Sequence, residues 1–597
     1  MAPMSFQLHD HPFMLTFLCF AFASAVILMT DKFAMPTRER RIIRASGEAA
    51  RVWRDMAARL PIIALVFTGF FAISWRPLYA AAGAMSFFII FTGISRAKYK
   101  FIREPLVFSD IAMVADVFKY KSIFYANSLN IVFWLVAFSY VFGVSGLYMY
   151  FEPNVLPDHA HLFYILLAIL LADVPWILLF YGPVNRPVAA LVQRLVGQPN
   201  VKVSTLRFGT FCSVIFHFIL WLARRREKVV AEISEAFFAA VQTIIGGEDD
   251  KAPLIVVWQS ESFIDMRHFG VDTIKLPNID RLQKLSAQWG RLSTVFEGGY
   301  TLRTEFAVLS GLEPDHLHVD ASYPYLRARN YSDIVWPTKL KKAGWRTHFI
   351  HPYARTFFLR HKAMPLLGFQ KMTMLDGFDH VPERDGAYVS DAALTAKVIA
   401  EAQAQTGEHG DLLFVASMAN HGPWEPGRVE GLTDPVSIYL EILQQSDKAL
   451  GQLVDQLGKL DRPVWLLFYG DHAPLLKSFA DPFPDPRTDY FIVPLAKART
   501  AQHGPVFPRN EEPWNLMGTL LKLAGLEKER LAKTQGPVGA PLPKSGASKS
   551  GAAKSGPSKS GPAKSGGAKP GTPNTETSKT APPTTPASPA PESSGQV

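Results

Sequence analysis

The stretch Gly298-Gly299-Tyr300-Thr301-Leu302-Arg303-Thr304-Glu305-Phe306 sets a hydroxyl directly after a glycine hinge and directly before residues with helical spacing. The two glycines let the backbone turn sharply, and Glu305, Phe306, Val308 and Leu309 recur as a helix requires. The apolar run Leu292 to Phe296 predicts the strand that delivers the chain to this turn. Thr301 then heads a helix, where unpaired N–H groups and the helix dipole favour a phosphate or an alkoxide. A threonine in that position is as a rule an N-cap, so reading it as a nucleophile requires partners elsewhere in the chain.

Candidate partners stand where apolar runs end. Leu254 to Trp258 is followed by Gln259-Ser260-Glu261-Ser262, which makes Glu261 a candidate metal ligand. Val464 to Phe468 is followed by Tyr469-Gly470-Asp471-His472-Ala473-Pro474, an acid and an imidazole together after a glycine. Carboxylates with an imidazole suit a borderline divalent cation such as manganese or zinc. The competing reading makes Asp471 a helix cap and His472 an exposed residue. Thr347 to Ile350 leads into His351, Arg355 and Arg360, and Leu412 to Ala416 leads into Asn420-His421-Gly422-Pro423. For Arg303 and Arg355 the favoured reading is a solvated surface charge.

The elements that must position these residues follow from the pattern between Ala252 and Arg530, where short apolar runs alternate with helical segments. That alternation predicts an α/β domain with a mainly parallel sheet, Tyr490 to Val493 being a fifth strand. Ligands of such sheets gather beyond the carboxyl ends of the strands, so strand-end residues on one rim are a joint signal.

The chain has 597 residues, too many for one core. Its apolar residues concentrate in the first third, which predicts a polytopic α-helical membrane domain over 1–223 with five or six spans. The runs are Phe13 to Met29, Pro61 to Trp75, Leu78 to Ile94, Ile131 to Tyr150 and Leu162 to Tyr181, with Phe208 to Ala223 as either a sixth span or an interfacial helix. The first run lacks a preceding Lys or Arg and reads as a permanent span, not a cleaved signal. Arg38, Arg40, Arg41, Arg44, Arg51, Arg54 and Arg59 follow it, and the positive-inside tendency puts them in the cytoplasm with six spans. Five spans with a cytoplasmic N-terminus would also export the catalytic domain, with the Arg-rich loop outside.

A linker helix is expected over 224–251, from the spacing of Val229, Val230, Ile233, Phe237, Phe238 and Val241. The catalytic domain then runs over 252–534. A Lys-, Ser-, Gly-, Pro- and Ala-rich tail, 535–597, has too few apolar groups to offset ordering entropy. It is either a solvated dispensable segment or one that associates with anionic polymer or lipid. The net charge of +10 lies in loops and in this tail without aromatic interleaving, which argues against nucleic acid. Cys19 and Cys212 both sit in apolar runs, with neither disulfide nor zinc spacing.

At these residues the domain resembles the lipoteichoic acid synthase and phosphoglycerol transferase branch of the alkaline phosphatase and sulfatase superfamily. Gly299-x-Thr301-x-x-x-Glu305-Phe306 is similar to the family's nucleophile turn. The resemblance implies Thr301 as nucleophile, Glu261, Thr301, Asp471 and His472 as ligands of one divalent ion, Mn2+ favoured over Zn2+ or Mg2+, and His351, Arg360 and His421 as substrate-binding residues. His351 and Arg360 keep the family's nine-residue interval. Tyr353 stands where the family has an acid and Phe358 where it has tryptophan, which puts the head group in question more than the chemistry. A Cys or Ser followed by x-Pro-x-Arg is absent around Thr301, which disfavours a formylglycine sulfatase.

The implied reaction moves a phosphoglycerol head group from phosphatidylglycerol to a glycan or glycolipid outside a bacterial plasma membrane, through a phospho-threonine. Other classes are a phosphoethanolamine transferase, a phosphodiesterase or sulfuric ester hydrolase, and a non-enzymatic scaffold.

Overall fold

The computed structural model describes residues 11–47, 52–114, 119, 131–157, 159, 161–224, 251–293, 299–481, 483–498 and 506–526. The expected linker helix and the Lys-rich tail lie outside these residues, apart from Arg224 and Lys251 at the linker's ends.

Among the described residues four helices are long and apolar enough to cross a membrane: Pro12–Ala34, Val52–Ser74, Pro77–Lys100 and His161–Phe180. The expected run Ile131 to Tyr150 is helical over Ile131–Phe151, but counts as a shorter apolar stretch, Leu135–Phe151. Thr210–Ala223 has 14 residues, a length of about 21 Å at 1.5 Å per residue, which is short of a hydrocarbon core of about 30 Å. Its Cys212, Ile215, Phe216 and Ile219 are buried among the other apolar helices.

The Arg-rich segment is tied to later parts of the chain. Glu39 binds Lys202 at 2.9 Å and Asp55 binds Arg207 at 2.9 Å. Gly47, Arg194 and Arg207 share one cavity of about 520 Å³ with Pro314, Asp315 and His318 of the catalytic domain.

The catalytic domain is built on a seven-stranded sheet ordered β2-β7-β6-β1-β5-β3-β4. The strands are β1 (Leu254–Ser260), β2 (Gln288–Leu292), β3 (Arg346–Ile350), β4 (Lys371–Thr373), β5 (Asp411–Ala416), β6 (Pro463–Gly470) and β7 (Thr488–Ala496). β1 pairs in parallel with β5 and β6, and β3 in parallel with β5 and β4. β7 runs antiparallel to β6, and β2 antiparallel to β7. Of the strand expected at Leu292 to Phe296, Leu292 is the last residue of β2, and 294–298 lie outside the described residues.

β1 is buried at every position because helices cover both sheet faces, which explains its unbroken apolar run. Ile255 and Val257 face a core with Leu302 and Phe306 of the helix Thr301–Ser310. Leu254 and Val256 face the opposite core with Leu450 and Leu453 of the helix Pro435–Leu457. The sheet is thereby fixed from both sides, and its carboxyl edge holds the site.

Candidate active site

β1 runs out at Ser260 and β6 at Gly470, paired in register, so Glu261 and Asp471 emerge side by side. Ser262 links them. Its backbone is left-handed, with φ of 52°, a conformation that costs a non-glycine residue of order 1–3 kcal/mol. In return its N–H donates to Asp471 Oδ1 at 2.9 Å and its hydroxyl to Glu261 Oε1 at 2.8 Å. The His472 N–H donates to the same Asp471 oxygen at 2.8 Å. No helix begins at Asp471 and His472 is buried, so the cap-and-surface reading of this pair fails.

Thr301 is the first residue of the helix Thr301–Ser310. Gly299, with φ of +74°, swings it inward; a Cβ there would lie 3.2 Å from Leu475 Cδ1 and 3.6 Å from His472 Cε1. Thr301 Oγ1 stands 3.4 Å from Glu261 Oε2 and 3.4 Å from His472 Nε2. Glu261, Asp471 and His472 each offer one ligand atom within 4.8 Å of the others. A hydroxyl, two acids and an imidazole from three distant stretches therefore meet at one point.

These residues fit a divalent cation. His472 Nδ1 lies 3.0 Å from the Ala473 carbonyl, which makes it the N–H and leaves Nε2 as the lone-pair atom among the acids. Asp471 Oδ2 is buried without a hydrogen-bond partner. Burial, then the Glu261 charge, pushes the Asp471 carboxyl up to about 7. Burial lowers the His472 pKa, but the charges of Asp471 and Glu261 outweigh it and the net direction is upward. Two buried acids facing each other attract positive charge, as a proton or as a metal ion.

His351 and Arg360 belong to a buried network behind this point. Arg360 Nη2 and Nε donate to Glu305 at 2.9 and 3.2 Å, and Nη1 to His351 Nε2 at 3.0 Å. Tyr325 also donates to Glu305, and Gln259 Nε2 lies 3.4 Å from it. His351 Nδ1 donates to the Ala416 carbonyl at 2.9 Å, and burial and Arg360 depress its pKa, so the ring is neutral. Three of the five guanidinium N–H groups of Arg360 are thus engaged within the protein.

His421 is half-buried, with Nδ1 2.6 Å from the Gly422 carbonyl. Burial lowers its pKa, and Glu261 and His472 are close enough to act on it electrostatically. Its Nε2 is the lone-pair nitrogen of a neutral ring. Tyr388 packs edge-on against it at 5.6 Å and donates to the Gly422 carbonyl at 3.1 Å.

Arg303 is not a surface charge. It is buried and donates twice to Glu104, at 2.9 and 3.0 Å, from the segment after the helix Pro77–Ile102. Burial raises the Glu104 carboxyl, but Arg303 and Lys98 outweigh it and hold the group down at about 2. Arg355 is exposed and pairs with Asp376 at 3.3 Å, as the solvated reading had it.

Glu305, Glu104 and Tyr388 escaped the sequence reading. Glu305 alone carried a signal, because an acid in a helix with this many apolar neighbours must find a buried cation.

Residues 253–526 match the sulfatase family. The capsular polysaccharide biosynthesis protein RkpI of Rhizobium meliloti (strain 1021) is 71% identical over 531 residues, covering 89% of this chain and 98% of that protein. Among solved structures the chain is similar to the phosphoglycerol transferase GacH of Streptococcus pyogenes, at 21% identity and a TM-score of 0.38, covering 50% of this chain and 79% of that one. It is also similar to the lipoteichoic acid synthase LtaP of Listeria monocytogenes, at 18% identity and a TM-score of 0.37, covering 51% and 79%. With apolar helices, a sulfatase-family domain and near-complete coverage of that relative, the chain belongs to the same family as the capsular polysaccharide biosynthesis protein RkpI.

Proposed function

We propose that this chain transfers a phosphoglycerol head group from phosphatidylglycerol to an extracytoplasmic glycan or glycolipid through a phosphodiester on Thr301. The observation that carries the reading is the position of Thr301 Oγ1, 3.4 Å from both Glu261 and His472 at the head of a buried helix. Glu261, Asp471 and His472 would hold a divalent cation, Mn2+ in preference to Zn2+ or Mg2+, which would lower the pKa of the Thr301 hydroxyl and offset phosphate charge.

In the first half-reaction Thr301 Oγ forms a bond to phosphorus and the bond from phosphorus to the diacylglycerol oxygen breaks. The threonine proton passes to the leaving oxygen, and neutral His421 is suited to carry it. In the second half an acceptor hydroxyl attacks the same phosphorus, its proton goes to Thr301 Oγ, and the free threonine is restored. His351 and Arg360 set the back wall of the phosphate site, with two guanidinium N–H groups left for equatorial oxygens. The apolar helices keep a two-chain lipid donor beside the site. The family relationship to a capsular polysaccharide biosynthesis protein supports a glycan acceptor. Ion pairing of Glu39 and Asp55 with Lys202 and Arg207 reduces the free charge of the basic segments, which supports placing them outside with the catalytic domain.

The test is mass spectrometry of the full-length chain in phosphatidylglycerol vesicles, where Thr301 should gain the mass of glycerophosphate and lose it when acceptor is added. Donors labelled in glycerol or in ethanolamine separate the two head groups. Activity without an adduct on Thr301 refutes covalent transfer, and release of free glycerol phosphate with no modified acceptor favours a hydrolase.

A further inference from the structure

The segment that follows the helix Pro77–Ile102 enters the catalytic domain beside the nucleophile turn. Arg103, left-handed at φ of 60°, ends the helix, and the Leu106 N–H donates to Ser95 Oγ at 3.0 Å, folding the chain back. Met113 then packs in one core with Tyr300 and Leu302, the two neighbours of Thr301. Glu104 receives both terminal nitrogens of Arg303, at 2.9 and 3.0 Å, with side-chain exposures of 5% and 7%. Asp110 Oδ1 receives the Tyr300 hydroxyl at 3.3 Å. Lys98 Nζ bridges the two acids, 3.0 Å from Glu104 and 2.7 Å from Asp110. The Arg303 guanidinium stacks on the Tyr300 ring, 4.6 Å from its centroid.

Among the described residues, two cations and two anions pair with one another in this cluster. What it holds is the residue before Thr301 and the residue two after it. Gly299 on the other flank is a soft hinge and supplies no stiffness.

We infer that Glu104 and Asp110 are positioning residues that set Thr301 Oγ for attack by clamping Arg303 and Tyr300 from the membrane part of the chain. The inference rests on Thr301 being the nucleophile. Its consequence is that the lipid-facing helix and the nucleophile turn move as one body, so the alignment of Thr301 depends on the docking of the membrane part.

The experiment uses the full-length chain in detergent with Mn2+ and bis(4-nitrophenyl) phosphate as probe, with release of 4-nitrophenolate followed in single turnover. Glu104→Gln is expected to lower kcat on the order of a hundredfold with KM changed by less than about twofold, because misplacing the nucleophile weakens only the transition state. Tyr300→Phe should act in the same direction. Mn2+ affinity, read by calorimetry, should stay at the wild-type value in both, since Glu261, Asp471 and His472 are untouched; a merely structural loss would lower it. Glu104→Gln combined with Arg303→Gln should lower kcat by no more than about the larger single effect, because the two residues act through one contact. Glu104→Gln and Tyr300→Phe with wild-type kcat overturn the inference alone, provided turnover still requires Thr301. Turnover that survives Thr301→Ala overturns the nucleophile reading and the inference with it.

Discussion

Replacing Glu305 with glutamine tests whether the network behind the site is held by charge. Glu305 and Arg360 are 0% and 1% exposed and joined by two N–H···O contacts of 3.2 and 2.9 Å. Glutamine keeps the shape and leaves an oxygen for Tyr325, but turns one contact with Arg360 donor to donor and strands a guanidinium charge in the core. Breaking a buried pair from one side costs about 3–5 kcal/mol. At about 2–4 °C per kcal/mol for a domain of this size, the melting temperature should fall by about 6–20 °C. The assay is differential scanning fluorimetry of the full-length chain in detergent at a fixed scan rate with saturating Mn2+. Glu305→Gln with Arg360→Met removes the stranded charge and should recover part of that loss, since replacing both members of such a pair is often near neutral. Turnover should not recover with it, because the wall of the phosphate site is gone. A Glu305→Gln shift below about 2 °C would refute the argument, since it corresponds to less than about 1 kcal/mol.

Chelating the metal should expose a pH dependence whose sign follows from Asp471. Its carboxyl moves from 3.8 to about 7 in the ion-free fold, so between those values the native state holds a proton that the unfolded chain has released. The stability of the EDTA-treated chain should therefore fall as pH rises from about 4 to about 7, Mn2+ should stabilise more at the upper end, and Asp471→Asn should flatten the slope. Melting curves at three pH values decide it, and a stability that rises over this window counts against the facing-acid geometry. Gly299→Ala forces a left-handed alanine, at about 1–2 kcal/mol, and drives its Cβ to 3.2 Å from Leu475 Cδ1. Single-turnover release of 4-nitrophenolate should drop sharply, and an unchanged rate would remove the hinge argument. Arg355→Ala cuts only an exposed pair with Asp376, so stability should stay within about 0.5 kcal/mol with kcat unchanged.

Much of the site was legible because sheet topology turns scattered strand ends into neighbours. Glu261, Asp471 and His472 could be grouped before any coordinates, since β1 and β6 are unbroken apolar runs that announce themselves. The strand Gln288–Leu292 was not read, because Gln288-Trp289-Gly290-Arg291-Leu292 lacks an apolar run along its edge position. β4, three residues of Lys371-Met372-Thr373, is too short for any period. The burial of Arg303 could not be read locally because its partner Glu104 lies 199 residues away. For a related reason charge counting could not see that Arg59 and Arg207 are paired with Asp31 and Asp55.

Ser262 ties both metal-site acids through its own N–H and hydroxyl. One residue thus sets the spacing of the two carboxylates, and either acid must give up a hydrogen bond to swing outward. Calcium seeks about six to eight oxygen donors at long bond lengths and has no use for an imidazole. A nest of three oxygen-bearing groups and one ring nitrogen, if it holds the proposed cation, would therefore favour a smaller, borderline ion over calcium.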